Sequence, residues 1–553
     1  MDDLNPPTSG MRSSEAPVLL EKRRMETLLA QSVSVGWTPV SFGEYLSLAV
    51  VHNGLSEARR AAEQQFQQNP GNVNYAYELC RFMCFDDPAG GLAWYGKFIR
   101  ETARSPLAYY WLARLYADMG DHEQSMSILE GVSESASRFP ELLNIFVLNS
   151  MYAEDLDPQS NLSRLRRMVR QQLGAPAPPV GSVSKRPRYI IGFVCASLNQ
   201  HAISCFAEPL LRCLDRKRFM VVVFSSTKKL DHYTEALRTV PDLWYDVGAL
   251  SDDQLLELIR SERVDVLVDL DNHTLSNRLR VFAQRAAPIQ MAFYGFNTST
   301  GLEAMDYRLT DFVVDPPGVE GHYTEKLLRT RFCHYAYWNF VDLPPPSAAP
   351  IASAGSLTLG SFNSWQKINK GQVMVWSEIL KALPESRLNV VGFDDGLARL
   401  RLGRWMAEAG INTERVSVEG RLPVIDLRPR VQGVDLALDS WPFGGAVTTA
   451  MTLRLGVPLV TATGPRAVCQ ASASALQDLE FSRYVIPQRH DVVRRVSEFA
   501  TDLPSLAADR SLAVERFART LGDGERLAAE VGTLMIRAIE RYRKGKPAEH
   551  DSL

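Results

Sequence analysis

Leu436–Thr463, LALDSWPFGGAVTTAMTLRLGVPLVTAT, is the stretch whose reading decides the fold. An apolar strand ends at Asp439 and a turn carries Gly444 and Gly445. A helical run follows from Ala446 to Leu455, Gly456 stops it, and a second strand covers Pro458 to Thr461. Strand, glycine turn and helix in that order aim the free N–H groups of a helix's first turn above the carboxyl edge of a sheet, where α/β folds hold phosphate. Glycine lets an anion approach the backbone, and Thr448 and Thr449 add hydroxyls one step further in. The chemistry is that of a phosphate cradle; a plain tight turn before an ordinary helix is the competing account.

Working outward, the same alternation fills the second half of the chain. SLTLGSF, a helix over Val373 to Leu383, SRLNVVGF, VSVEG and VDLALD lead up to the opening stretch. Upstream of LPPPSAAPIASAG (Leu343–Gly355), the apolar runs RYIIGFVCA, FMVVVFSS and VDVLVDL are separated by helix-length segments such as CFAEPLLRCLD and DDQLLELIRSE. Short β-rich runs alternating with helices predict doubly wound α/β domains with parallel sheets. Two such domains, 188–345 and 346–553, imply a ligand cleft between them. The amphipathic segment Glu525–Arg543 is expected to pack back across them.

The first third reads differently. Residues 1–17 form a polar leader expected to be disordered. The span 18–170 is helical throughout, and 171–187, rich in Pro, Gly and Ser, is a linker. Tyr109–Val132 has the spacing of a tetratricopeptide repeat: helix, Gly-Asp turn, helix. Pro70, Pro106 and Pro140 stand 36 and 34 residues apart (106 − 70 and 140 − 106), close to the ~34-residue period of such repeats. Stacked helix pairs leave a concave face suited to an extended peptide, or they simply brace the α/β part.

Composition narrows the function classes. A chain of 553 residues with 45% hydrophobic and 23% charged residues is that of a multi-domain globular protein. A formal net charge of −3 supplies no basic field for nucleic acid. Seven cysteines, an odd number without CxxC spacing, fit free thiols in a reducing cytoplasm. Neither a signal-peptide pattern nor an apolar run long enough to span a membrane is present in the sequence.

Several residues beyond the opening stretch can carry chemistry. His201 lies in SLNQHAIS, just past the strand IIGFVCA, where an imidazole can take a proton near neutral pH. Asp269 stands near the end of the strand VDVLVDL, with Asp271 and His273 just past it; the two carboxylates could share a divalent ion, or Asp271 and His273 could line the acceptor side. Thr298-Ser299-Thr300-Gly301 could donate to a sugar hydroxyl or make a turn. In SFNSWQKINK, Asn363 and Lys367 stand past the strand SLTLGSF, and a lysine is a mobile point charge suited to pyrophosphate. Arg421, Arg428 and Arg430, read as loop residues, could reach a base or a phosphate.

Taken together, SLNQHAIS, RAAPIQMAFYGFNTSTGLEAMDYRLTD, GSFNSWQKINKGQVMVWSEILKALPESRL and LDSWPFGGAVTTAMTLRLGVPLVT resemble, in order, the catalytic region of the protein O-GlcNAc transferases and their bacterial relatives, glycosyltransferase family 41. The resemblance covers roughly residues 188–545, and the TPR-like helices match the family's layout. It implies a GT-B fold: two Rossmann-like domains facing a cleft, with UDP held mainly by the second.

It further implies inverting, metal-independent transfer of a sugar, usually N-acetylglucosamine, from a UDP-sugar to Ser or Thr of proteins. A branch that glycosylates Asn with hexose is the alternative, as is a scaffold that has lost turnover. No cofactor or metal beyond the UDP-sugar substrate is implied. By position, His201 matches the family's active-site histidine, a base or acceptor-positioning group, and Lys367 the lysine that neutralises the diphosphate. Asn363 stands beside that lysine; Gly444, Gly445, Thr448 and Thr449 fall in the phosphate-binding turn; Arg430 matches a basic residue near the uracil.

The chain departs from the family pattern at four places. Met451 replaces an acidic residue expected to bind ribose, Ala446–Val447 a His–Thr pair, Cys205 a second histidine and Gln470 an arginine.

Overall fold

Parallel order in both sheets is what places the candidate residues. The computed structural model describes residues 15–102, 104–135, 139–178, 181–338, 349–351 and 355–553. The first sheet is built from β1 (Tyr189–Cys195), β2 (Phe219–Ser225), β3 (Leu243–Asp246), β4 (Val266–Asp269), β5 (Ile289–Ala292), β6 (Tyr307–Asp311) and β7 (Lys326–Thr330). The second holds β8 (Thr358–Ser361), β9 (Arg387–Val391), β10 (Val416–Glu419), β11 (Leu436–Leu438), β12 (Leu459–Ala462) and β13 (Val485–Ile486). A short strand near the C-terminus, β14 (Asp551–Ser552), completes the set.

The strand orders are β14-β7-β6-β5-β4-β1-β2-β3 and β10-β9-β8-β11-β12-β13, with parallel pairing in the ladders. Each sheet therefore starts in its middle and winds outward both ways. The direction in which successive strands are added reverses between β1 and β4 in the first sheet and between β8 and β11 in the second, although each pair runs parallel. At such a switch point the two following loops part and leave a crevice at the carboxyl edge, where α/β sheets take their ligands. The strands are nearly all apolar because helices cover both faces: six of the seven β1 residues are buried.

Before the sheets the described residues form helices without strands, from Glu15–Val35 to Pro158–Leu173. Their starts follow ordinary signals. Thr38, Asp87, Ser105 and Asp157 cap helices whose first residue is proline, which needs no N–H there. Pro106–Asp118 and His122–Ser135 form the helix pair predicted at Tyr109–Val132, and Gly120 turns between them at φ +88°. A buried Ser125 Oγ–H to Ala113 carbonyl bond of 2.6 Å ties the pair together.

Three boundaries differ from the sequence reading. The first helix begins at Glu15, inside the predicted leader, whose residues 1–14 lie outside the described residues. The last helix of the N-terminal region runs to Leu173, into the predicted linker. The chain's final segment lies with the first sheet, not the second: Gly524–Arg543 packs on Ala202–Cys213, Glu530 holds Arg331 at 2.6 Å, and β14 pairs with β7. Most of LPPPSAAPIASAG falls outside the described residues.

The helical region docks on the second α/β half. Ser47 Oγ donates to the Asp394 carbonyl at 2.9 Å and accepts from Gly396 N–H at 2.8 Å, and Arg81 reaches Asp395 at 2.5 Å. Between the two lies a cavity of about 840 Å³ whose wall includes Tyr77, Trp111, Trp365 and Arg421. Among the described residues no helix is long and apolar enough to cross a membrane.

Candidate active site

The two loops at the second sheet's switch point meet. After β8 the chain makes a short turn, Trp365–Lys367, and after β11 it makes the PFGG turn that opens the helix Val447–Arg454. Lys367 Nζ donates to the Gly444 carbonyl at 2.8 Å and lies 3.8 Å from the centre of the Phe443 ring. Residues 77 positions apart in sequence thus place an ammonium group beside the start of a helix that no side chain caps. Uncapped first-turn amides and a cation together form a corner whose chemistry suits an anion.

A buried carboxylate organises that corner from beneath. Asp439, 4% exposed at the end of β11, accepts from Ser440 N–H (2.9 Å) and Gly445 N–H (2.8 Å) through Oδ1 and from Thr461 Oγ–H (2.8 Å) through Oδ2. Asn363 is buried; its amide nitrogen approaches Asp439 at 3.4 Å and its oxygen accepts from Thr448 Oγ–H at 3.3 Å. Thr449 and Ser472 share a 2.8 Å hydroxyl bond, and Ser472 donates to the Gly445 carbonyl at 2.9 Å. Burial brings the Lys367 pKa down to about 8, against the opposing pull of the Asp439 charge.

His201 belongs to the first sheet's switch point. It caps the helix Ala202–Cys213, its Nδ1 accepting from Ile203 N–H at 3.3 Å. With Nδ1 so used, the neutral ring carries its proton on Nε2, which is then a donor. The residue is solvent-exposed at the cleft, yet crowding around the ring, and secondly the charge of Arg421 from the opposite half, hold its pKa below the ordinary imidazole value. Its neutral form is therefore favoured near neutral pH.

Other candidates turn out to be structural. Asp269 accepts from the amides of Asp271 (3.2 Å) and Asn272 (2.8 Å), and Asp271 from that of Ala196 (2.7 Å); both carboxylates are fully buried. They pin the loops after β1 and β4 together and have no open face for a shared divalent ion. His273 is 1% exposed, its Nε2 is 2.8 Å from the Thr300 carbonyl, and burial lowers its pKa to about 4. Ser299 and the Thr300 amide are held by buried Glu325 at 2.6 and 2.7 Å, which makes that tetrad a turn.

Asp311, Cys333 and His334 approach closely enough to suggest a metal site. The Asp311 oxygens, however, already accept from the His334 ring and amide, Ser474 Oγ–H and the amides of Val313 and Val314. That knot joins the two α/β halves.

Arg428 and Arg430 are not loop residues. They lie on the helix Val424–Gln432, and Arg430 Nε donates to Glu419 at 2.8 Å; Arg421 alone stays in the loop after β10. Of the four departures, Met451 and Cys205 are buried apolar packing at 3% and 1% exposure, and Gln470 donates to the Gly464 carbonyl at 2.6 Å. Ala446 is the uncapped N-cap itself. Asp439 and Ser472 are the site residues that sequence reasoning missed; an acid six residues before Gly445 at a strand end was the available signal for the first.

Two facing doubly wound sheets, one with an ammonium and a helix N-terminus at its switch point, define the GT-B glycosyltransferase architecture. The chain belongs to glycosyl transferase family 41, whose model matches residues 178–336 and 354–527. A Solanum lycopersicum SPINDLY protein, named as a probable UDP-N-acetylglucosamine–peptide N-acetylglucosaminyltransferase, is 31% identical over 374 residues, 66% of this chain and 40% of its own length. An Arabidopsis thaliana SEC protein of the same named activity is 25% identical over 296 residues, 51% of this chain and 30% of its own. The chain thus spans about two fifths of the SPINDLY relatives' length. A solved structure of a mutant Thermobaculum terrenum O-GlcNAc transferase superposes with a TM-score of 0.76 at 25% identity, covering 95% of this chain and 98% of that one. The helical repeats precede the GT-B part here as the resemblance implied.

Proposed function

We propose that this chain is a UDP-sugar-dependent protein glycosyltransferase. It moves a sugar, N-acetylglucosamine by the names of its relatives, from the UDP-sugar to Ser or Thr hydroxyls of a polypeptide, with inversion and without a metal ion. The observation that carries this reading is the meeting of Lys367 with the PFGG turn. Cleaving the sugar–phosphate bond leaves negative charge on UDP, and fixed donors aimed at developing charge lower the barrier most. An ammonium group and an uncapped helix end are such donors. The engagement of Asp269 and Asp271 by backbone amides supports the metal-free form.

His201 faces the donor half from across the cleft and presents Nε2–H. It therefore orients the acceptor or the donor by donating a hydrogen bond, the positioning half of the two roles open to it. The cavity between the helical region and the second half suits an extended polypeptide, and the seven free thiols fit a cytoplasmic setting.

Incubating the chain with labelled UDP-N-acetylglucosamine and a cell lysate should label proteins on Ser or Thr, and Lys367→Ala should abolish the label. Full activity in that variant removes the mechanism. A scaffold without turnover is the second reading, favoured by buried Met451 where a ribose-binding acid is expected. It predicts no calorimetric signal with millimolar UDP.

A further inference from the structure

Phe443 lies between two parts of the molecule that the sequence keeps far apart. One face of its ring carries the Lys367 ammonium at 3.8 Å. Its other neighbour is Tyr152, the last residue of the helix Glu141–Tyr152, with ring centroids 5.7 Å apart. Met151, Val468 and Cys469 complete a small apolar cluster around the contact. Two residues beyond Tyr152, Glu154 accepts from Asn369 Nδ2 at 2.8 Å and from Arg489 at 2.7 Å. Asn369 also donates to the Trp441 carbonyl at 3.1 Å. The end of one N-terminal helix thus touches both loops that build the anion corner.

From this geometry we propose that Phe443 is a positioning residue for Lys367, and that Tyr152 and Glu154 of the helical region hold Phe443 and the Lys367 loop in place. The inference rests on the reading of Lys367 as the diphosphate cation. On this view the helical region completes the donor site as well as flanking the acceptor path.

The physical need is plain. A lysine side chain is a long flexible stem with a strongly hydrated head, so an empty site does not by itself keep the ammonium in one place. An aromatic face within ~6 Å attracts the cation and does so more strongly where water is excluded. Burial pushes Lys367 toward its neutral form, with the Asp439 charge working the other way. A ring that favours the charged form there keeps the group useful to an anion at neutral pH. Tyr152 blocks the ring from swinging away, and the Glu154–Asn369–Trp441 chain fixes the loop that carries the lysine. The Glu154–Arg489 pair is half open to solvent and adds little.

The test uses the full chain and the variants Phe443→Leu, Phe443→Tyr and Tyr152→Ala/Glu154→Gln. Competitive trace acetylation followed by peptide mass spectrometry reads the titration of Lys367 without any ligand, and calorimetry reads UDP affinity at pH 7. Phe443→Tyr, which keeps a ring face, should match the wild type in both. Phe443→Leu should titrate about half a unit to one unit lower and bind UDP roughly 3–10-fold more weakly. The Tyr152→Ala/Glu154→Gln double variant, altered outside the PFGG turn and the Lys367 loop, should move both readouts in the same direction by a smaller amount.

A Phe443→Leu titration equal to or above the wild type overturns the positioning role, and a double variant identical to the wild type overturns the part assigned to the helical region. If the wild type binds no UDP while the titrations shift as expected, the donor-site reading fails and the positioning stands. If Lys367→Ala abolishes UDP binding while Phe443→Leu changes nothing, the reverse holds.

Discussion

Gly445 N–H donates to Asp439 Oδ1 at 2.8 Å, and a Cβ built on Gly445 would stand 2.6 Å from Thr449 Oγ1 and 2.7 Å from Thr448 Oγ1. The turn is drawn down onto a carboxylate from one side and closed over by hydroxyls from the other, so only hydrogen fits. Gly445→Ala must push the helix start away, costing ~1–3 kcal/mol of stability and at least tenfold in UDP affinity. Gly444→Ala, whose Cβ would meet Asp439 Oδ2 at 3.1 Å, should be milder. Denaturant midpoints and UDP calorimetry on the two variants check the order; equal behaviour removes the close-approach argument.

Asp439→Asn tests the same knot from below. The carboxylate accepts from two amides and one hydroxyl in a buried place, and an amide there turns one acceptor into a donor that faces N–H or O–H groups. Leaving buried donors unpaired costs ~1–3 kcal/mol. The variant also removes the negative charge that supports the Lys367 ammonium, so Lys367 should titrate below about 8. Trace acetylation reads that shift directly, and an unchanged titration would separate Asp439 from the lysine.

How much of this was legible beforehand follows from range. The strand–glycine turn–helix order at Leu436–Leu455, the position of Lys367 past a strand and the α/β alternation are local patterns, and the structure reproduces them. Arg428 and Arg430 read as loop residues in the sequence, yet they lie on a helix that contains Pro429. The helix Val424–Gln432 accommodates that proline at its sixth residue, although an interior proline costs a hydrogen bond. Asp271 and His273 are polar residues after a strand, the pattern of an active-site loop, and nothing local shows that their partners bury them. The return of Gly524–Arg543 is expected from its amphipathic pattern, though not which helix it meets; the Tyr152–Phe443 contact joins segments hundreds of residues apart, and no periodicity encodes such a pairing.

The depressed lysine makes donor affinity pH-dependent with a defined sign. Lys367 in the free chain titrates near 8, below the ordinary lysine value, because burial disfavours its charge. In the folded chain the charged form therefore costs stability below about pH 8, and that cost fades as pH rises toward the unfolded value. Binding a diphosphate reverses the preference and draws a proton on. UDP should raise the melting temperature more at pH 7 than at pH 9.5, and calorimetry at pH 8.5 in buffers of different ionisation enthalpy should show proton uptake. Lys367→Met should show neither effect.

The docking of the helical region can be tested apart from the chemistry. Arg81 reaches Asp395 at 2.5 Å, Glu78 at 3.2 Å and Asp118 at 3.6 Å with only 13% of its side chain exposed. Arg81→Met takes the cation from Glu78 and Asp395 in a shielded place, while Asp118 keeps Arg114 at 3.1 Å, and breaking a buried pair from one side costs ~3–5 kcal/mol. Arg24, paired with Glu44 at 2.6 Å but 48% exposed, offers the control: Arg24→Met should cost under ~1 kcal/mol. Hydrogen exchange should show the Arg81 effect as faster exchange in both the helix Pro39–His52 and the helix Gly396–Glu408, because each covers the other. Exchange that rises in only one of the two helices would mean that the ion cluster stabilises its own helix and does not clamp the two regions together.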